Sequence, residues 1–205
     1  MNKIAAILIT LLLSTPTMAN AQSTTGTIEL FFQPDMSNAN PSGSLFLAHH
    51  FDKWGLGVSA FVLVTNGWAE FSAGPTWSPT DWIELGLAVG GEQIPDGIGA
   101  RFSASIWAGH GDFSFLGIVE FNPDSFTGDD SGVWFDLTPK FKPLKWLAVG
   151  FKFRRPVGVG PLLELSTPSS PSVTAWLCWA PLDPEKVDGD LAHLDRFLVG
   201  LKLDF

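Results

Sequence analysis

Beyond Ala21 two-residue alternation of apolar and other residues recurs along this chain, and no stretch shows a convincing helical period. A chain patterned in this way builds strands with one apolar face and one mixed face. In Phe197 to Phe205 the odd positions are all large and apolar, while the even ones are Leu, Gly, Lys and Asp. Ile83, Leu85, Leu87 and Val89 alternate with Glu84, Gly86 and Ala88. Leu147, Val149, Phe151 and Phe153 alternate with Ala148, Gly150, Lys152 and Arg154. Ala100 to Ala108 and Val133 to Thr138 repeat the pattern. Clusters of Gly, Pro, Asn and Asp divide it into twelve candidate strands, near 26–33, 44–52, 56–65, 68–77, 82–90, 98–109, 112–121, 132–140, 146–155, 159–166, 173–180 and 196–205. Most span about nine to ten residues, the length of a tilted strand crossing a bilayer. Ten strands is the alternative, if 26–33 and 44–52 or a neighbouring pair are misread.

The first 21 residues read as an export address. Lys3 is a positive n-region, Ile4 to Leu13 an apolar h-region, and Ala19-Asn20-Ala21 a small-residue cleavage site. The apolar run falls short of the roughly 20 residues a spanning helix needs, so an uncleaved anchor is the lesser reading. No Cys follows it, which argues against a lipid-modified N-terminus. The expected organisation is therefore a cleaved signal peptide, 1–21, and one β-barrel domain, 22–205.

Composition narrows the class further. Charged residues make up 16% of the chain, against roughly 25% in a soluble domain, so a fully wetted surface is short of groups. The formal net charge of −9 leaves no basic face for nucleic acid. The single cysteine, Cys178, excludes an intramolecular disulfide, CxxC chemistry and Cys-rich zinc sites.

The connections alternate in character. Short ones are expected at Lys53 to Gly55, Ser78 to Asp81, Gly109 to Gly111, Phe141 to Lys145 and Thr167 to Ser172. Longer, more acidic ones are expected at Pro34 to Gly43, Gly91 to Gly97, Asn122 to Ser131 and Pro181 to Asp195, with Val64 to Gly67 a short exception. Tight periplasmic turns opposite longer outer loops are the habit of transmembrane barrels. Two turns share aromatic-x-Pro-x-x-Trp, Trp77 to Trp82 and Phe141 to Trp146, and His50 to Trp54 is a looser relative. Trp54, Trp77, Trp82, Phe141 and Trp146 are candidates for a membrane-interface belt.

Alternation alone does not say which face is outside. The mixed face carries Glu29, Glu70, Glu84, Arg101, Glu120, Asp136, Lys152, Arg154 and Lys202, with Glu164 on the same parity. In a membrane barrel these line a wet or mutually paired lumen; in a secreted soluble domain they face water. The final strand, with Phe197, Val199, Leu201, Leu203 and Phe205 at alternate positions, resembles the C-terminal signature of Gram-negative outer-membrane β-barrel proteins. That resemblance covers about ten residues specifically and the strand-turn pattern loosely. It implies an all-β, transmembrane, up-and-down antiparallel barrel, an outer-membrane location, and insertion by the barrel assembly machinery. Lipid and lipopolysaccharide are the surroundings it implies. The absence of Tyr departs from the usual girdles, so Trp and Phe would serve.

The expected activity is passive, a small channel for ions or small polar solutes. Trp68, Trp107, Trp134 and Trp176 share the lumen parity and could block it, so a non-conducting barrel with an envelope-structural or surface-contact role is the alternative. An outer-membrane lipid hydrolase ranks third. His49, His50, His110 and His193 are present, but no G-x-S-x-G signature accompanies them and no catalytic residue is assigned. Acidic clusters at Asp124, Asp129 and Asp130 and at Asp183 to Asp195 match no EF-hand spacing, so no metal or cofactor is expected.

Overall fold

A computed structural model describes residues 23–35, 38–51, 54–94, 97–123, 132–155, 157–182 and 196–205. The export segment, His193 and both acidic clusters lie outside the described residues. The strands are β1 (Ser23–Asp35), β2 (Asn38–His50), β3 (Leu56–Thr65), β4 (Trp68–Thr80), β5 (Ile83–Ile94), β6 (Gly97–His110), β7 (Phe113–Phe121), β8 (Val133–Leu144), β9 (Leu147–Arg154), β10 (Gly158–Ser166), β11 (Ser172–Trp179) and β12 (Phe197–Asp204). Each pairs antiparallel with its chain neighbours, and β1 closes on β12 to give a barrel of twelve strands. Closure leaves no sheet edge, so the ladder satisfies the backbone groups all the way round. Ser23 and Phe205 lie at one end, the near end; the other is the far end.

The closing seam is sealed by the last residue. Phe205 and Gly26 exchange both backbone hydrogen bonds, at 2.8 and 2.9 Å. The Phe205 ring lies against Gly26, where a Cβ would meet it at 2.4 Å.

Four connections differ from expectation. The loops expected at Pro34 to Gly43 and Gly91 to Gly97 are mostly strand: β1 and β2 stay paired to Asp35↔Asn38, and β5 and β6 to Ile94↔Gly97. The Pro, Asn, Asp and Gly residues within these far-end extensions read as loop in the sequence, although the pairing continues through them. The turns expected at Ser78 to Asp81 and Phe141 to Lys145 are also strand as far as Thr80 and Leu144.

Both of the latter carry one extra residue. Trp77 pairs with Leu85 but Thr80 with Ile83; Phe141 pairs with Val149 but Leu144 with Leu147. The shared Pro, Pro79 or Pro143, sits in this bulge, where a missing N–H costs no rung. The likeness reaches further back than the turn. Pro75 and Pro139 precede each motif by the same spacing, and each falls between rungs, Ala73↔Val89 and Thr76↔Gly86 in one case, Leu137↔Phe153 and Lys140↔Gly150 in the other.

The barrel is inside out relative to a soluble one. Leu87 and Ile98 on the outer wall are 65% and 73% exposed, whereas inward-facing Arg101 and Asp136 are 8% and 4% exposed. Apolar surface in water costs about 25 cal/mol per Å², so this outer wall is built for hydrocarbon.

At the near end Trp54 and Gly55 both take left-handed backbone, φ 68° and 65°. A Cβ on Gly55 would sit 2.1 Å from the Ser78 carbonyl oxygen. Gly55→Ala is expected to destabilise the barrel by at least about 1 kcal/mol, read as a lower midpoint for conversion of the folded, heat-modifiable gel band.

A charged and aromatic lumen as the candidate functional site

Inward-pointing charges gather in groups at distinct heights. The largest hangs from β4 to β7 near the far end. Arg101 on β6 stands 2.9 Å from the Glu70 carboxylate and donates through Nε to Glu120 at 3.2 Å. Its two terminal nitrogens donate to Glu92 and Glu120. The guanidinium also lies 5.6 Å from the Trp68 ring centroid. Every charged side chain here is at most 9% exposed. Only Arg has enough fixed N–H donors to serve three carboxylates at once.

A second group lies beside it along the wall, on β8 and β9. Asp136 Oδ2 lies 2.8 Å from Lys152 Nζ and 3.2 Å from Arg154 Nε, while Thr138 donates to Oδ1 at 2.8 Å. Aromatic rings flank these cations: Lys152 lies 5.9 Å from Trp176, and Arg154 lies 5.1 Å from Trp134 and 5.3 Å from Phe31. One group thus holds three acids to one base, and the other two bases to one acid.

Lower down, Lys140 reaches both oxygens of Glu164, at 3.1 and 3.2 Å. Near the terminal end Lys202 lies 3.6 Å from Asp204, which accepts from Thr27, and Glu29 stands opposite Lys202 in register. At the near mouth His50 Nδ1 is 3.4 Å from Glu84, and Ser78 donates to the same carboxylate oxygen at 3.3 Å. Here the Glu stands between Ser and His. A hydrolytic triad needs the His in the middle to take the serine proton, so this trio has no activated nucleophile. His49 accepts from or donates to Thr24 at 2.9 Å on the outer wall. Among the described residues no group of three or more His, Cys, Asp or Glu is placed to hold a metal ion.

All ten lumen candidates from the sequence therefore point inward, and nine of them enter a polar contact named above. Sequence reasoning missed Glu92, Lys140 and Asp204. Glu92 has the parity of Glu84 but fell in an expected loop, and Lys140 and Asp204 share the parity of Asp136 and Lys202.

The inner face also carries aliphatic side chains, beyond the charges and Trp residues expected there. Phe31, Leu162, Trp176, Cys178 and Leu198 form a buried apolar cluster inside, with Val157 and Ala180 from the far-end connections and Leu63 packed against it. The alternation test compares large apolar residues with polar ones, so it cannot see apolar side chains on both faces of β10 to β12 (Leu162 beside Leu163, Cys178 beside Leu177). The wall closes round the indole: a Cβ on Gly200 would meet the Trp176 ring at 2.6 Å.

Trp54, Trp77, Trp82, Phe141 and Trp146 are all exposed, at or beside the near-end turns. In the last strand Phe197, Val199, Leu201 and Phe205 are exposed on the outer wall, and Leu203 is half-buried there.

No known family profile and no curated protein matches the sequence. Solved structures do. The KdgM porin aligns with a TM-score of 0.53 at 11% identity, covering 87% of this chain and 98% of that one. The NanC porin aligns with a TM-score of 0.55 at 9% identity, covering 88% of this chain and 98% of that one. At these identities the likeness is one of fold: this chain has the closed twelve-stranded barrel architecture of porins.

Removing one partner of a buried ion group leaves the rest uncompensated, at about 3–5 kcal/mol. Arg101→Gln, which strands three acids, is expected to lose stability in that range. Glu92→Gln, which lightens the acidic excess, is expected to lose less than half as much. Guanidinium unfolding of the two variants in the same micelles gives the comparison.

Proposed function

We propose that this chain is an outer-membrane protein whose barrel is a small passive channel for ions or small polar solutes. The observation that carries the reading is the inverted polarity of a closed barrel: large apolar side chains outside, ionised ones inside. Burying charges around an axis costs several kcal/mol per ion, while the fold alone could be held by an apolar interior. The porin architecture of KdgM and NanC supports the same reading. On it, the near end faces the periplasm, the exposed Trp and Phe belt marks the inner interface, and lipid and lipopolysaccharide surround the wall. The exposed last strand is the segment offered to the barrel assembly machinery.

Among the described residues, inward acids such as Glu29, Glu70, Glu84, Glu92, Glu120, Asp136, Glu164 and Asp204 outnumber inward bases such as Arg101, Lys140, Lys152, Arg154, Arg196 and Lys202. The passage therefore favours cations. One KdgM structure is a complex with disordered oligogalacturonate; the acidic excess here opposes a solute of that charge.

The second reading, a non-conducting barrel, is favoured by the buried apolar cluster in the far half. Planar-bilayer recording separates the two. The expected outcome is a small unit conductance with a cation-directed reversal potential in a salt gradient. Glu84→Gln at the mouth should move that potential toward zero, and Lys202→Gln should move it further toward the cation limit. Folded, heat-modifiable protein that passes no current at any voltage would leave the non-conducting reading standing.

A further inference from the structure

The lumen is not equally closed along its length. At the near mouth the His50–Glu84 and Lys202–Asp204 side chains are 23–40% exposed, whereas Asp136 in the far half is 6% exposed. Something seals the far half, and one side chain is placed to do it.

Arg154 is the last residue of β9. Its guanidinium is held on one side by its own wall, through Asp136 at 3.2 Å and the Trp134 ring at 5.1 Å on adjacent β8. On the other side it meets Phe31 of β1 at 5.3 Å. Between β9 and β1 the wall runs through β10, β11 and β12. With neighbouring strands about 4.8 Å apart, that path along the wall is about 19 Å, so the contact crosses the interior. Phe31 is backed in turn by Trp176, 6.3 Å between centroids, and by the apolar cluster beneath Val157 and Ala180. Arg101 differs: its partners Glu70, Glu92, Glu120 and Trp68 all lie on β4, β5 and β7, its own side of the barrel.

We infer that Arg154 is the bolt of the passage, the residue that sets the constriction in its far half by bridging Asp136 and Trp134 to Phe31. This deepens the channel reading and rests on it only for the flow of current. Stacking on each ring contributes about 0.5–2 kcal/mol, enough to hold the bolt and small enough for it to be drawn.

Cys178 supplies a native reporter. It is the only cysteine, points inward, is 1% exposed, and belongs to the cluster that backs Phe31. The experiment measures its modification by a small cationic methanethiosulfonate in folded, detergent-solubilised protein, together with bilayer conductance. The native chain should react slowly. Arg154→Ala should react at least tenfold faster and show a severalfold larger unit conductance, and Leu87→Ala, on the outer wall, should react like the native chain. Phe31→Ala removes the other end of the bridge and should act like Arg154→Ala, which keeps the test open if one variant fails to fold. Arg154→Lys, with the charge but no planar face, serves as a third variant and should fall between. Unchanged Cys178 reactivity in a folded variant overturns the bolt, whatever the conductance. Faster modification with no current in any variant upholds the bolt and overturns the channel reading.

Discussion

The structure depends first on closure of the backbone ladder. In hydrocarbon an unpaired N–H or C=O has no water to turn to, and each costs several kcal/mol. Twelve strands meet that demand only if β1 finds β12 in one register, and the reciprocal Gly26–Phe205 pair fixes it. The chain tolerates proline in the wall under the same rule. Pro79 and Pro143 occupy bulges, and Pro75 and Pro139 fall between rungs of the ladders to β5 and β9. The repeat noticed in two turns is thus a repeated solution to bending a closed sheet while keeping its bonds.

Once the outside is apolar, the inside inherits the charges, and desolvation decides how they are arranged. None of the far-half charges named above stands alone. Arg101 serves three carboxylates, and Asp136 serves two cations whose free faces rest on aromatic rings. Rings can do this without becoming polar themselves, because their faces carry partial negative charge. An ionised interior can therefore be dry in one half and hydrated in the other.

Much of this could be read from residues. The alternation located all twelve strands, the parity of Glu70, Arg101, Asp136 and Lys152 placed them inside, and Trp68, Trp107, Trp134 and Trp176 shared that parity. What escaped has physical causes. Glu92 was lost because Gly91, Pro95, Asp96 and Gly97 around it read as loop, although the pairing runs on to Ile94↔Gly97. The cluster of Phe31, Leu162, Cys178 and Leu198 was lost because a filled interior removes the contrast on which alternation relies. The meeting of Arg154 with Phe31 joins residues 123 positions apart in sequence across a curved wall, a geometry that no local pattern encodes.

The unequal exposure of the side chains in the two halves also has an electrical consequence. A dry layer in series with a wet vestibule carries nearly all of any potential difference, since the vestibule conducts and holds little of it. On the channel reading, the field falls mainly across the far half that holds Arg154, while the imidazole and carboxylates at the opposite mouth sit closer to the potential of the adjoining solution. A unit charge moved through such a drop gains about 2.3 kcal/mol per 100 mV, an energy of the same order as the ring contacts that hold it.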